Sequence, residues 1–297
     1  MRPGRAEDLA GLMRLWTVEV GDGRRELVPA GARLDRILAG FDWEASSRML
    51  DSADGALEAA VLVTHRSGSI GTVTRVEVAV ASPGDGSLQR RLAEWGLGLS
   101  RAAGATAAQV WRPRGQAMDL TGLGLKPVRP WWRMDRSLEG NLPAPIPVAG
   151  YRLLVGPAVA PGVWADVHNR SFADHWRYSP RTEGELMAWR PPELSLLAVA
   201  DDGSPAAVTL GQMESYAIDT RAQPVGIVAS VGTLPEHRRR GLARWLVAEV
   251  LARLRRAGAR SASLYVDGLN PTGAPALYRD LGFEVAFETE VWEAVFP

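Results

Sequence analysis

Cysteine is absent from the 297 residues, which excludes disulfides, a thiolate nucleophile and thiolate metal ligands together. Histidine is scarce: His65, His168, His175 and His237 are too scattered to suggest a metal cluster, and no metal is expected. No apolar run approaches the roughly 18 to 20 residues of a membrane-spanning helix, and Met1 to Asp8 carry no apolar targeting segment. A cytoplasmic chain with no membrane partner is the expectation. Excess charge of either sign is also missing, since 34 basic residues balance 34 acidic ones. With no bulk field to hold nucleic acid, the expected partner is a small molecule. Lysine is nearly lacking, Lys126 being the only one.

What is present is a globular composition, 46% hydrophobic and 23% charged, long enough for one large domain or two ordinary ones. The 11 tryptophans outnumber the 5 tyrosines and 5 phenylalanines. A proline-rich stretch, Asn141 to Gly150, has neither helical nor strand period and reads as an extended linker. The halves on either side repeat each other. Leu88 matches Leu242, Gly104-Ala105 matches Gly258-Ala259 and Trp111 matches Tyr265, all at one constant offset. Further on, Gly122-Leu-Gly-Leu125 pairs with Asp280-Leu-Gly-Phe283 once a short deletion is allowed. The expected organisation is a domain over 1–140, a linker over 141–150 and a second domain over 151–297.

The second half carries the clearer pattern. Tyr151–Val155 reads as a strand and Val163–Phe172 as an amphipathic helix. Leu194–Ala200, the turn Asp201-Asp-Gly203 and Ala206–Leu210 read as a hairpin. Val225–Leu234 reads as a strand interrupted at Gly232, where a bulge or a close backbone approach would sit. From Gly241 to Ala257, Leu242, Leu246, Val250 and Leu254 recur at helical spacing, and Gly258 supplies the stop. Ser261–Val266 reads as a strand, Ala274–Leu281 as a short helix and Phe283–Ala294 as closing strands. The fold class is α+β, a mixed sheet flanked by helices, present as a tandem duplication.

Between the Val225–Leu234 strand and the long helix lies Pro235-Glu-His-Arg-Arg-Arg-Gly-Leu-Ala-Arg244, in which Arg238, Gly241 and Ala243 fill an R-x-x-G-x-A pattern. Small residues admit a ligand close to the main chain, and the first-turn amides of a helix lack internal partners, so the turn suits a pyrophosphate. Arginines add charge-assisted bonds to the same oxygens. By itself the turn is equally a solvated basic loop. Downstream come Asn270-Pro-Thr-Gly and, one helix length on, Tyr278-Arg-Asp-Leu-Gly-Phe283.

These two blocks, in this order and at this separation, resemble the GNAT superfamily of acyl-CoA-dependent N-acyltransferases over about residues 150 to 297. The resemblance implies that Arg238, Arg239, Arg240, Gly241, Leu242, Ala243 and Arg244 cradle the pyrophosphate of acetyl-CoA. It also implies that Val231, Gly232 and Thr233 pair with the pantetheine arm, that Asn270 contacts the cofactor and that Tyr278 protonates the departing thiolate. A phenol of ordinary pKa about 10 suits that task. Transfer would be direct, from acetyl-CoA to the primary amine of a small molecule such as an amino sugar, an amino-acid derivative or an antibiotic-like amine.

In the first half the corresponding turn reads Ser82-Pro-Gly-Asp85-Gly-Ser-Leu88, shorter and with an acid where cations are expected, and Leu120 stands for the tyrosine. A degenerate first domain beside an active second one is similar to the mycothiol synthases. Where those enzymes carry an acidic residue on the active strand, this chain has Ile227. Glu214 and His175 are therefore candidate bases, and Glu214 is equally a solvated hairpin residue. Phe172, His175, Trp176 and Tyr178, with Trp189 nearby, either line an aromatic cleft for the acceptor or staple helices to the sheet. The rival readings are a mycothiol synthase proper, transfer to a peptide amine and a non-catalytic acyl-CoA sensor. A monomer or weak homodimer is expected, because the duplication already supplies an internal pseudo-dimer.

Overall fold

Leu242, Leu246, Val250 and Leu254 are all but inaccessible, so the periodicity that predicts the long helix is the stripe that buries it. The computed structural model describes residues 1–296 apart from 69, 70, 83, 85, 117, 119, 189, 220 and 222. Asp85 and Trp189, singled out above, lie outside the described residues.

The first half contains β1 (Arg2–Pro3), α1 (Leu9–Gly21), β2 (Val28–Pro29), α2 (Gly31–Leu38), α3 (Trp43–Ser46), β3 (Ser47–Asp51), β4 (Leu57–Gly68), β5 (Gly71–Val80), α4 (Ser87–Ala102), β6 (Ala107–Pro113) and β7 (Lys126–Ser137). The second contains β8 (Tyr151–Val155), α5 (Pro161–Phe172), α6 (Glu183–Met187), β9 (Ser195–Ala200), β10 (Pro205–Glu214), β11 (Tyr216–Ile218), β12 (Val225–Thr233), α7 (Leu242–Arg256), β13 (Ser261–Asp267), α8 (Ala274–Asp280) and β14 (Glu284–Val295).

The chain divides into two compact units whose bounds differ from 1–140 and 151–297. Met1–Trp131, Ser215–Thr220 and Phe287–Pro297 form the first, Trp132–Glu214 and Arg221–Ala286 the second. The reason is strand pairing. The end of β14 is antiparallel to β6, Val295 opposite Ala107 and Thr289 opposite Pro113, and β11 pairs with β2. In the second unit the strand order ends β12, β13, β7, so the second half of β7, from Trp132 on, serves the later half of the sequence. The expected linker has no helix or strand over 141–148 but is no free spacer. Leu142 and Val148 pack on the second unit's core.

Each unit builds its sheet around one parallel pair, β5 with β6 and β12 with β13, and antiparallel hairpins extend it through β4 and β3 or through β10, β9 and β8. The helix that follows the inner strand, α4 or α7, opens on a glycine in the left-handed region, Gly86 at φ 82 and Gly241 at φ 90. This matching of elements is the duplication seen in three dimensions. In the second unit, α7 covers one face of the sheet through Leu246, Val250 and Leu254, while Trp164 and Val167 of α5 cover the other.

Candidate active site

The parallel register of β12 and β13 runs through only three pairs, Val225 with Ser261, Gly226 with Ala262 and Ile227 with Ser263, although β12 continues to Thr233 and β13 to Asp267. Past Ile227 no ladder pair joins the two strands, and the gap between their unpaired ends, 228–233 and 264–267, forms a slot. Its closed end is polar on one face: the Ser263 hydroxyl accepts from Arg221 at 2.6 Å and donates to Asp135 at 2.6 Å. On the other side of β12, the register with β10 slips by one residue between Leu210 and Gly211, so Ala229 is extra. This bulge lies three residues before Gly232, where the interruption was expected. It resets which amides face the slot. Because Leu234 N–H donates to Ala206 O at 2.9 Å, antiparallel alternation turns the N–H and C=O of Val231 and Thr233 away from β10 and into the slot.

Gly232 plays a different part from its neighbours. A Cβ there would strike the Ser171 hydroxyl and lie 3.1 Å from a ring carbon of Phe172, so the glycine lets α5 close against β12. Thr233 offers more than its backbone: its Oγ1 is buried and has no hydrogen-bond partner, an unsatisfied polar atom at the slot's mouth.

The turn before α7 is a short 3₁₀ segment, Pro235–His237, followed by Arg239 at φ 62 and Gly241 at φ 90. Two left-handed residues so close swing successive amides to one side, and the first bond into the helix is Trp245 N–H to Gly241 O at 3.1 Å. The amides of Leu242, Ala243 and Arg244 therefore open the helix without internal acceptors. The arginines divide. Arg238 is turned inward, bonded to Asp174 at 2.7 Å and to the carbonyls of Thr233 and Ser171 at 3.2 Å each. Its charge holds the Asp174 carboxyl well below the usual carboxylate range. Arg239 is exposed, Arg240 reaches Tyr151 Oη at 3.0 Å, and Arg244 pairs with Asp280 at 2.8 Å across exposed surface. Exposed pairs contribute about 0–1 kcal/mol, so an anion can compete for Arg244.

Asn270 Oδ1 is taken by the turn it starts, accepting from Thr272 N–H at 2.9 Å and Thr272 Oγ1 at 2.6 Å, which leaves its Nδ2 to face a ligand. Tyr278 sits in α8 among the core residues that include Phe283, ring centroids 6.1 Å apart. Burial pushes its phenol above the ordinary value, so the group stays protonated at neutral pH and has a proton to donate.

On the α5 side of β12, Trp164, His168 and Phe172 fall at i, i+4 spacing. His168 stacks between the other two at 5.3 Å and 4.7 Å, and burial lowers its pKa to about 4. Tyr178 Oη meets His168 Nδ1 at 3.3 Å and donates to Asn169 Oδ1 at 2.5 Å. The His175 ring meets Phe172 edge-on at 4.6 Å, and Trp176 is half-buried beside it. Of these aromatics Phe172 lies beside Gly232, and the ring contacts among them hold α5 to the segment that follows it. Glu214, the last residue of β10, stands opposite Val225 and is buried, at the closed end of the slot. His168, Ser171, Asp174 and Asp267 escaped the sequence reading; the i, i+4 spacing of Trp164, His168 and Phe172 was the available signal. Among the described residues no three His, Asp or Glu side chains are grouped to hold a metal ion, and no helix is long and apolar enough to cross a membrane.

Residues 163–283 match the acetyltransferase (GNAT) family. The chain is 35% identical over 172 residues to a mycothiol acetyltransferase of Thermobispora bispora, covering 54% of this chain and 56% of that one. To the mycothiol acetyltransferase of Thermobifida fusca it is 30% identical over 303 residues, covering 93% and 84%. The match with the Thermobispora bispora protein thus spans only about half of that relative's length. A solved GCN5-related N-acetyltransferase from Sphaerobacter thermophilus superposes with a TM-score of 0.81 at 25% identity, over 99% of this chain and 94% of that one. With its slot, its amide-lined turn and a relative 30% identical of which it covers 84%, the chain belongs to the acetyltransferase (GNAT) family.

Proposed function

We propose that the second unit is an acetyl-CoA-dependent N-acetyltransferase acting on the primary amine of a small molecule. The observation that carries this reading is the slot past Ile227, edged by the free amides of Val231 and Thr233. Acetyl-CoA fits the residues present. A pantetheine arm needs strand-like partners, which Val231 and Thr233 supply, and the orphaned Thr233 Oγ1 supplies a polar contact at the mouth. The amides of residues 239 to 244, with Arg239, Arg240 and Arg244, would hold the pyrophosphate, and Asn270 Nδ2 would contact the arm. Arg238 is better assigned to building the turn, because its guanidinium already serves Asp174, Thr233 and Ser171.

Bound acetyl-CoA supplies a thioester carbonyl. Val231 N–H then stabilises the charge that develops on its oxygen, the slot holds that carbon against the incoming amine, and the Tyr278 hydroxyl gives its proton to the leaving sulfur. Burial keeps the phenol protonated at neutral pH and at the same time makes it a weaker acid than an ordinary tyrosine.

The acceptor approaches past Phe172, Trp176 and Tyr178, a wall of rings suited to an amino sugar, an amino-acid derivative or another ring-bearing amine. A second reading, a mycothiol-type acceptor, is favoured by the two relatives of that name, and the apolar Ile227 weighs against it. The first unit we read as degenerate, without an acyl-CoA site. Tyr278→Phe tests the reading: turnover of acetyl-CoA with an amine panel, followed by thiol release, should fall about 10²-fold while calorimetric affinity for acetyl-CoA is unchanged. Unchanged turnover removes Tyr278 from the chemistry.

A further inference from the structure

We propose that His175 is the general base of this transfer, an assignment that rests on the N-acetyltransferase reading above. The ring column of α5 leads directly to it. Trp164, His168 and Phe172 stack in turn, the edge of Phe172 lies against Gly232 at the slot, and the His175 ring follows at 4.6 Å from Phe172. Backbone bonds fix it there: His175 N–H donates to Phe172 O at 2.9 Å, and Tyr178 N–H donates to His175 O at 3.2 Å.

The adjacent Asp174 is tied by Arg238 to the end of β12, since that one guanidinium bonds Asp174, Thr233 O and Ser171 O. The chain segment that carries His175 is thus anchored to the strand whose amides edge the slot. Among the described residues neither of its ring nitrogens takes part in a hydrogen bond, which leaves both open to a ligand.

Four charged or titratable groups act on this ring. Asp174 on its own loop and Asp267 at the end of β13, the slot's other wall, favour the imidazolium; Arg238 from the turn before α7 opposes it. His168 of α5 lies near and is neutral at pH 7. Burial outweighs the two carboxylates and leaves His175 below its ordinary pKa. It is therefore a free base at pH 7, and Asp174 and Asp267 stand ready to stabilise the cation it becomes. The Phe172 ring, which touches both Gly232 and His175, and the Arg238 link from Asp174 to Thr233 put His175 on the open-end side of the slot. Glu214, opposite Val225, is at the closed end, and Ile227 offers no base at all.

The step balances without any other reagent. The amine nitrogen bonds the thioester carbon, one N–H proton passes to a ring nitrogen of His175, the C–S bond breaks, and Tyr278 protonates the sulfur. The His175 proton then returns to the Tyr278 phenolate through solvent.

The test uses the full chain with acetyl-CoA and a panel of amino sugars and amino-acid amides, reading kcat from pH 5 to 9.5 in wild type, His175→Gln, His175→Ala and Glu214→Gln. Calorimetry of acetyl-CoA binding accompanies each. Where no amine of the panel is turned over, acetyl-CoA hydrolysis is read instead, since water attacking the same carbonyl gives up its proton to the same base. His175→Gln should lose about 10² to 10³-fold in kcat at pH 7 and the acidic limb of the profile, with acetyl-CoA affinity kept. Added imidazole should restore part of the His175→Ala rate, which a merely structural role would not allow. An acidic limb that survives His175→Gln, or one that Glu214→Gln removes instead, overturns the assignment. A wild type that neither binds acetyl-CoA nor turns it over overturns the acetyltransferase reading and the assignment with it.

Discussion

The two units carry the same parallel pair at their centre and differ in what happens where the strands part. In the second unit β12 has a bulge at Ala229 and presents Val231 and Thr233 to an open slot. In the first, β5 pairs with β4 without a break in register from Gly68/Gly71 to Ala59/Val80, and its exposed edge is already taken. Val80 N–H donates to Glu19 Oε1 at 3.0 Å, and Arg24 donates to Val80 O at 2.9 Å. Arg25 holds Glu19 at 2.9 Å and Glu77 at 2.8 Å. Burial pushes the Glu19 carboxyl upward against the pull of Arg25, the Val80 amide and Arg24. Side chains of this unit thus occupy the strand edge that the other unit keeps for a ligand. The helix-opening turn tells the same story: both units keep the left-handed glycine, and only the second surrounds it with arginine. A fold can keep its frame and lose its site when a strand edge is closed from within.

Removing the closure should have the largest effect. Glu19→Ala leaves Arg25, Arg24 and the Val80 amide without their shared carboxylate, at a cost of about 3–5 kcal/mol for a broken buried pair. Urea unfolding followed at the first unit's tryptophans should show that loss while acetyl-CoA affinity stays as it was. A loss of affinity would mean that the first unit takes part in binding.

A second contrast lies in the first helix of each unit, where the buried core of α1 carries Trp16 and that of α5 carries His168. The His168 pKa is depressed from 6.5 to about 4, so its contribution is fully present above pH 6.5 and is lost as pH falls through 6.5 toward 4. The lost stability should approach about 3 kcal/mol. Unfolding midpoints of wild type and His168→Phe between pH 7.5 and 4.5 check this, and equal slopes for the two would sink it.

The smallest effect sharpens the role of the close approach. Gly232→Val pushes a side chain into Ser171 and Phe172 and should destabilise the second unit by about 1–3 kcal/mol. It should also weaken acetyl-CoA binding more than tenfold by moving the two flanking amides, as calorimetry would show. Tight binding in this variant would separate the glycine from the slot.

Much of this was legible in the residues. The amphipathic run from Leu242 to Leu254, the glycines that bound it, the arginine turn and the block from Asn270 to Phe283 depend on local periodicity and chain flexibility, and they hold in three dimensions. The unit bounds did not, because which sheet accepts β14 is a long-range choice that alternation along the strand does not encode. Nor did the bulge at Ala229, which exists only in register with Leu210 and Gly211. The bonds of Arg238 to Asp174 and Ser171 were not legible in the motif, because α5 and the segment after it bring those partners from far along the chain.

The sequence alone determined the family pattern, the duplication and the helix-opening turn, since spacing and backbone freedom are properties of contiguous residues. Tertiary structure decided which amides face the slot, which unit keeps it open and where His175 stands. Those are matters of pairing and desolvation between segments far apart in the chain.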